Sequence, residues 1–273
     1  MDSLAIHEAS PAILRLQCGN DEIPRENVPR RDSGADSEND DDEEDEVPKK
    51  VGFDNKSVRA AFVRKVFTLV TVMFTVTGIC ASIPFMVDAV HEWCVEYWWV
   101  SYIAIGTFAV FYIMLACCSC VRRCFPCNFI TLVLFTLSAG AMTMFICAQY
   151  KVQSVLIALL ITTLCSAAIT VFAATTKKDL TSCLGIAFIL GICLLLFGLM
   201  CMIFVVFMKW YFLNIVYSGL AALLCMFYLA IDIQLIMGGR KVEISSEEYI
   251  YAAVTLFVDI LSMFFNILGV VGN

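Results

Sequence analysis

The stretch Asp232-Ile-Gln-Leu-Ile-Met-Gly-Gly-Arg240-Lys-Val-Glu-Ile-Ser-Ser-Glu-Glu-Tyr-Ile-Tyr-Ala-Ala-Val-Thr255-Leu-Phe-Val-Asp259 decides how the chain is read. An aspartate sits at each end, inside a long apolar segment, and one strongly polar turn between them carries Gly-Gly-Arg-Lys and three glutamates. If both segments cross a membrane, they form an antiparallel hairpin with one carboxyl group on each arm. A charge at the centre of a bilayer costs on the order of 2.5–3.5 kcal/mol on insertion scales, so these carboxyl groups must face protein or water.

The surrounding chain supports the membrane premise. Of its 273 residues 60% are apolar and only 16% charged, whereas soluble domains use apolar residues for about half of their length. A spanning helix needs roughly 20 mainly apolar residues, and seven such runs occur, at about 66–87, 97–117, 129–148, 154–174, 183–207, 212–237 and 249–271. The expected fold is therefore an all-α membrane protein, a seven-transmembrane-helix bundle over 51–273 behind a tail over 1–50. Residues 1–50 hold 15 acids and 6 bases, with nine acids in the eleven positions Asp36 to Glu46. So polar a segment cannot bury enough surface to offset its ordering entropy, and a disordered acidic tail is expected. Between tail and first span, Asp54 to Val66 carries Lys56, Arg59, Arg64 and Lys65 and reads as a short basic amphipathic helix lying on the headgroups. The first span would then act as its own uncleaved insertion signal.

Orientation follows from lysine and arginine, which favour cytosolic loops. With the N-terminus in the cytosol, twelve bases (49, 50, 56, 59, 64, 65, 122, 123, 177, 178, 240, 241) lie on that side and only Lys151 and Lys209 opposite. All other charges then fall in the tail, loops or helix ends, which leaves Asp232 and Asp259 as the charges well inside spans. Around the second of them, Tyr251, Thr255, Asp259, Ser262 and Asn266 recur at helical spacing and make one polar stripe, expected to point into the bundle. Tyr228 stands one turn before Asp232. Two carboxyl groups that meet in a low-dielectric site titrate as a unit, so a shared proton would lock the hairpin and its loss release it. Ionised, they are hard oxygen ligands for calcium, with Thr255, Ser262, Asn266, carbonyls and water completing a loose set. The bland alternative is that the aspartates only join helices through hydrogen bonds.

Four motifs resemble the Bax-inhibitor-motif transmembrane proteins, in particular their Lifeguard branch: Phe53-Asp-Asn-Lys-Ser-Val-Arg59 with Phe62-Val-Arg-Lys-Val66, Arg122-Arg-Cys-Phe-Pro-Cys-Asn128, Thr176-Lys-Lys-Asp-Leu-Thr-Ser-Cys183, and the closing segment from Asp232 to Asp259. That resemblance, over about residues 53–272, implies a seven-helix protein that lets calcium leak down its gradient and protects cells from programmed death. The family's paired aspartates, a pH-sensitive latch, fall on Asp232 and Asp259, which makes these the expected pH sensor, cation pathway and transient calcium site. Two departures stand out. Ile231 and Ile233 replace a tyrosine and a threonine beside the first aspartate, and the second span lacks the internal arginine of bacterial relatives, leaving Arg122 and Arg123 at its cytosolic end as candidate latch bases. The expected partners are membrane lipid, calcium as permeant ion, and death-regulatory membrane proteins. No cofactor, nucleic acid or enzymatic activity is expected; the location is endoplasmic reticulum or Golgi, with the plasma membrane as the alternative.

Rival functions are a non-conducting adapter that suppresses death signalling and an intramembrane aspartyl protease, whose Gly-x-Gly-Asp and Pro-Ala-Leu elements are missing here. A seven-helix receptor is disfavoured by the short loops and the lack of proline in the last two spans. The cysteines Cys117, Cys118, Cys120, Cys124 and Cys127 contain two Cys-x-x-Cys pairs, too closely spaced for a zinc ribbon. Inert thiols are the first expectation and palmitoylation beside the juxtamembrane arginines the second.

Overall fold

A computed structural model describes residues 51–118, 121–122, 126–208, 211–239, 244 and 248–272. The acidic tail, Arg123, Cys120 and Cys124 therefore lie outside the described residues. Among the described residues eight α-helices follow in order: α1 Val51–Met86, α2 Asp88–Glu96, α3 Val100–Cys117, α4 Cys127–Cys147, α5 Val152–Thr175, α6 Leu184–Met208 after a 3₁₀ turn at Leu180–Cys183, α7 Tyr211–Met237 and α8 Tyr249–Val271. Seven are long and apolar enough to cross a membrane, the last two as Phe212–Met237 and Tyr249–Val271. The all-α, seven-span architecture is thus as the sequence indicates.

Two local features differ from expectation. The basic segment before the first span is no separate surface helix, because α1 runs unbroken from Val51 to Met86. Phe62, Val66, Val70, Met73 and Thr77 are all buried; their spacing of three and four makes one stripe that continues the span's packing face into the basic segment. In addition, α2 folds back at the opposite end, with Cys94 as its buried residue. It is fastened there by Gln149 Nε2, which donates to Cys94 O at 3.3 Å, and by Trp93 against Phe145 with ring centroids 5.3 Å apart.

The bundle is organised around α8, which packs against α7, α1, α5 and α3, while α6 leans on α7. Within its most apolar stretch 78% of α8 is buried, against 11% for the α6 span. Hence the polar stripe on α8 does not mark a single inward face: Ala252, Ala253, Val254, Leu256 and Phe257 are as enclosed as Thr255 and Asp259, while Tyr251 and Ser262 are only half-buried. Hydropathy cannot reveal this, since lipid tails and the protein interior are equally apolar and association rests on close packing. Phe257 anchors the helix in an aromatic column, 4.7 Å from Phe74 of α1 and 5.8 Å from Phe135 of α4.

Candidate functional site

Asp232 and Asp259 are 1% and 2% exposed, among the most enclosed polar residues of the described chain. They lie on the two arms of the α7/α8 hairpin, and contacts along its seam fix their level. Asn266 Nδ2 of α8 approaches Cys225 Sγ of α7 at 3.8 Å. Seven residues, two turns of helix, lead from Cys225 to Asp232 and from Asn266 back to Asp259, so that in an antiparallel pair the two aspartates come level. A second contact, Ser218 against Gly269, stepped in the same way, sets Asp232 opposite Thr255, one turn away. Asp232 therefore lies level with the Thr255–Asp259 stretch of α8. Thr255 itself donates to Tyr251 O at 2.9 Å, and Asn266 also donates to Ser262 O at 2.9 Å.

The other residues named from sequence have distinct tasks. Tyr228 is buried on the side of α7 that meets α6, where its hydroxyl donates to Ala187 O at 2.7 Å. Arg122 does not run along α8 towards the aspartates. Its Nη1 donates to Leu115 O at 2.9 Å, its Nη2 lies 3.6 Å from Glu248, and its guanidinium stands 4.9 Å from the Tyr251 ring centroid. Tyr251 precedes Asp259 by eight residues, roughly 12 Å of helix at 1.5 Å per residue, so Arg122 ties the start of α8 to the end of α3. Cys117 is half-buried, and Cys118 and Cys127 are exposed. Burial pushes the Cys94 thiol above its ordinary range, which keeps it protonated and unreactive. Among the described residues no cluster of three or more His, Cys, Asp or Glu could hold a metal.

Sequence reading missed two residues that shape this hairpin. Arg59 turns inward from α1 and donates through Nη1 to Ile244 O at 2.8 Å and through Nη2 to Leu235 O at 2.7 Å. Leu235 is one turn beyond Asp232, so a base does reach the neighbourhood of the pair, from the first helix and not the second. Its space is provided by Gly238, at φ 71°, where an added Cβ would come 2.6 Å from the guanidinium. Lys65 follows on the same helix, with Nζ 3.2 Å from the Tyr249 ring centroid. The available signals were the Gly238-Gly239 pair, which marks a close backbone approach, and the apolar stripe running on through the basic segment.

Gln234 is the second. Its Oε1 accepts from Leu180 N at 2.8 Å, and its Nε2 donates to Lys178 O at 3.0 Å and Ala173 O at 3.3 Å. A single side chain thus satisfies the backbone where α5 ends and the 3₁₀ turn begins, fixing the charged Lys177-Lys178-Asp179 turn beside the hairpin. Gln234→Leu leaves these buried groups unmatched and is expected to cost about 1–3 kcal/mol, read as a lower melting temperature of the detergent-solubilised protein.

Comparison with known proteins matches residues 59–273 to the family described as inhibitor of apoptosis-promoting Bax1. Protein lifeguard 3 of Homo sapiens is 38% identical over 221 residues, 81% of this chain and 71% of that protein. The chain belongs to the Bax-inhibitor family. Protein lifeguard 3 of Mus musculus is 37% identical over 221 residues, and protein lifeguard 4 of Mus musculus is 26% identical over 217 residues, 84% of its length. The match begins at Arg59 and includes the whole α7/α8 hairpin, so both the clasp and the aspartates lie within the family's shared region. For a multi-pass member of this family, the site just described is the natural place to look for function.

Proposed function

We propose that this chain is a pH-sensitive calcium leak pathway of an intracellular membrane, endoplasmic reticulum or Golgi, with a cytoprotective, anti-apoptotic role. The observation that carries this reading is the enclosure of Asp232 and Asp259 on facing arms of the α7/α8 seam, within one turn of the same level. In this reading the two buried carboxyl groups share a proton across the seam. With a proton shared between them the seam closes; with both ionised they present oxygen ligands to a dehydrating divalent cation. A loose ligand set of two carboxylates, side-chain oxygens and water favours passage over storage. The charged groups near the hairpin sit at its cytosolic end: Arg59 on the loop carbonyls, Lys65 over Tyr249, and Arg122 with Glu248. No step here makes or breaks a covalent bond, so the role is non-enzymatic.

The lysine and arginine distribution orients the N-terminus and the α7–α8 loop towards the cytosol. The anti-apoptotic part draws on the family's description, and lipid together with death-regulatory membrane proteins are its partners. Calcium efflux from liposomes containing only the purified protein, measured over a series of pH values, tests the proposal. Flux that changes with pH is the expected result. Absence of flux at every pH would favour a non-conducting adapter instead.

A further inference from the structure

Helical hydroxyls in this protein almost always fold back on their own backbone. Thr136, Thr143, Thr162 and Thr255, all buried, donate to the carbonyl one turn earlier at 2.7–2.9 Å. Ser218 on α7 does not. It is 0% exposed, and its Oγ has no hydrogen-bond partner. It points across the seam at Gly269 of α8, where an added Cβ would stand 2.9 Å from that oxygen. A buried hydroxyl left unmatched costs about 1–3 kcal/mol, and such groups in native interiors are usually met by water.

Two turns further along α7 is Cys225, which faces Asn266. Asn266 spends its amide protons on Ser262 O at 2.9 Å and on the weak acceptor Cys225 Sγ at 3.8 Å. Two more turns along α7 is Asp232. Ser218, Cys225 and Asp232 thus mark the seam at intervals of seven residues, roughly 10 Å of helix each. Their facing residues Gly269, Asn266 and Asp259 run from the end of the hairpin remote from its loop to the aspartate pair.

We propose that this outer half of the α7/α8 seam is a hydrated step for a divalent cation, with Ser218 Oγ and Asn266 Oδ1 as its oxygen ligands and Gly269, which has no side chain, admitting the hydroxyl close against α8. It rests on the calcium reading above and extends it by naming the route from the outer face to the aspartates. The size of the ligand set fits an ion that keeps part of its water shell until it meets the carboxylates.

The test uses the full-length protein in liposomes and a small cationic methanethiosulfonate added on the outer face. Modification of native Cys225 and of Ser218→Cys is read by peptide mass, with the lipid-facing Cys193 of α6, an exposed free thiol, as reference. Cys225 should react severalfold faster than Cys193, calcium should slow its reaction, and Gly269→Ala should lower both labelling and calcium flux severalfold. Because Cys225 needs no substitution, a poorly folding Ser218→Cys does not weaken the test. Labelling of Cys225 no faster than Cys193, in protein that conducts calcium, would overturn the hydrated seam alone. Fast labelling in protein that conducts no calcium would overturn both the cation assignment and the leak pathway.

Discussion

Gly238→Ala should reproduce the effect of Arg59→Ala, although one substitution adds a methyl group and the other removes a guanidinium. Alanine at 238 must hold a left-handed backbone, at about 1–2 kcal/mol, and its Cβ would stand 2.6 Å from the Arg59 guanidinium, which must leave. Arg59→Ala removes the same two charged hydrogen bonds, to Leu235 O and Ile244 O, each worth roughly 1.5–3 kcal/mol. The lower end applies here, since Leu235 O still accepts from Ile244 N at 3.2 Å. Arg59→Ala should therefore lose about 3 kcal/mol and Gly238→Ala that loss plus the backbone cost, about 4–5 kcal/mol, and the double variant should lose much less than the sum, because one contact cannot be broken twice. Hydrogen exchange at the Ile244 amide should accelerate in all three, while exchange in the middle of α4 should not change. Calcium leak should rise as the loop that joins the aspartate arms comes free. Strictly additive losses would show that arginine and glycine act independently.

The second large effect concerns the carboxyl groups. Asp232→Asn and Asp259→Asn keep shape and hydrogen-bonding capacity but remove the titrating oxygen pair, so each should flatten the dependence of calcium flux on pH. The double variant should abolish what dependence remains. If the aspartates only join helices, asparagine serves as well as aspartate and both variants will follow the parent curve, which would sink the latch. A milder result, lower flux with an unchanged pH profile, would separate a ligand role from a sensor role. The profile, recorded in purified protein in liposomes, is thus more informative than the rate.

Much of the architecture was legible in the sequence because hydrocarbon imposes one simple demand on it. A helix must be long and apolar to span, and seven runs met that condition at nearly the lengths found, the α7 and α8 spans most closely. The two aspartates were visible for the same reason, as the exceptions that such segments tolerate only at a cost. What the sequence did not disclose was which face of each span meets protein. On α8 the polar stripe looked like the inward side, yet Ala252, Leu256 and Phe257 are as enclosed as Asp259. Arg59 was misplaced for a related reason: a base beside the membrane reads as a headgroup contact until a partner on another helix, here the carbonyls behind Gly238, is in view. Arg122 does stand at the end of α3, as its sequence position implied, but its partners are Glu248 and the last carbonyls of that helix, and sequence carries no measure of that distance.

The central position of α8 also governs when this protein can become itself. Every other described span precedes it in the chain, so the ribosome delivers the axis of the bundle after the helices that surround it. Until then the faces of α1, α3, α5 and α7 that α8 covers have no partner, Phe74 and Phe135 lack the ring that later packs on both, and Asp232 is in place without the arm opposite it. Assembly is therefore completed by a closing insertion late in synthesis, and the interval before it is the period in which a membrane chaperone or a degradation factor would find the nascent protein exposed.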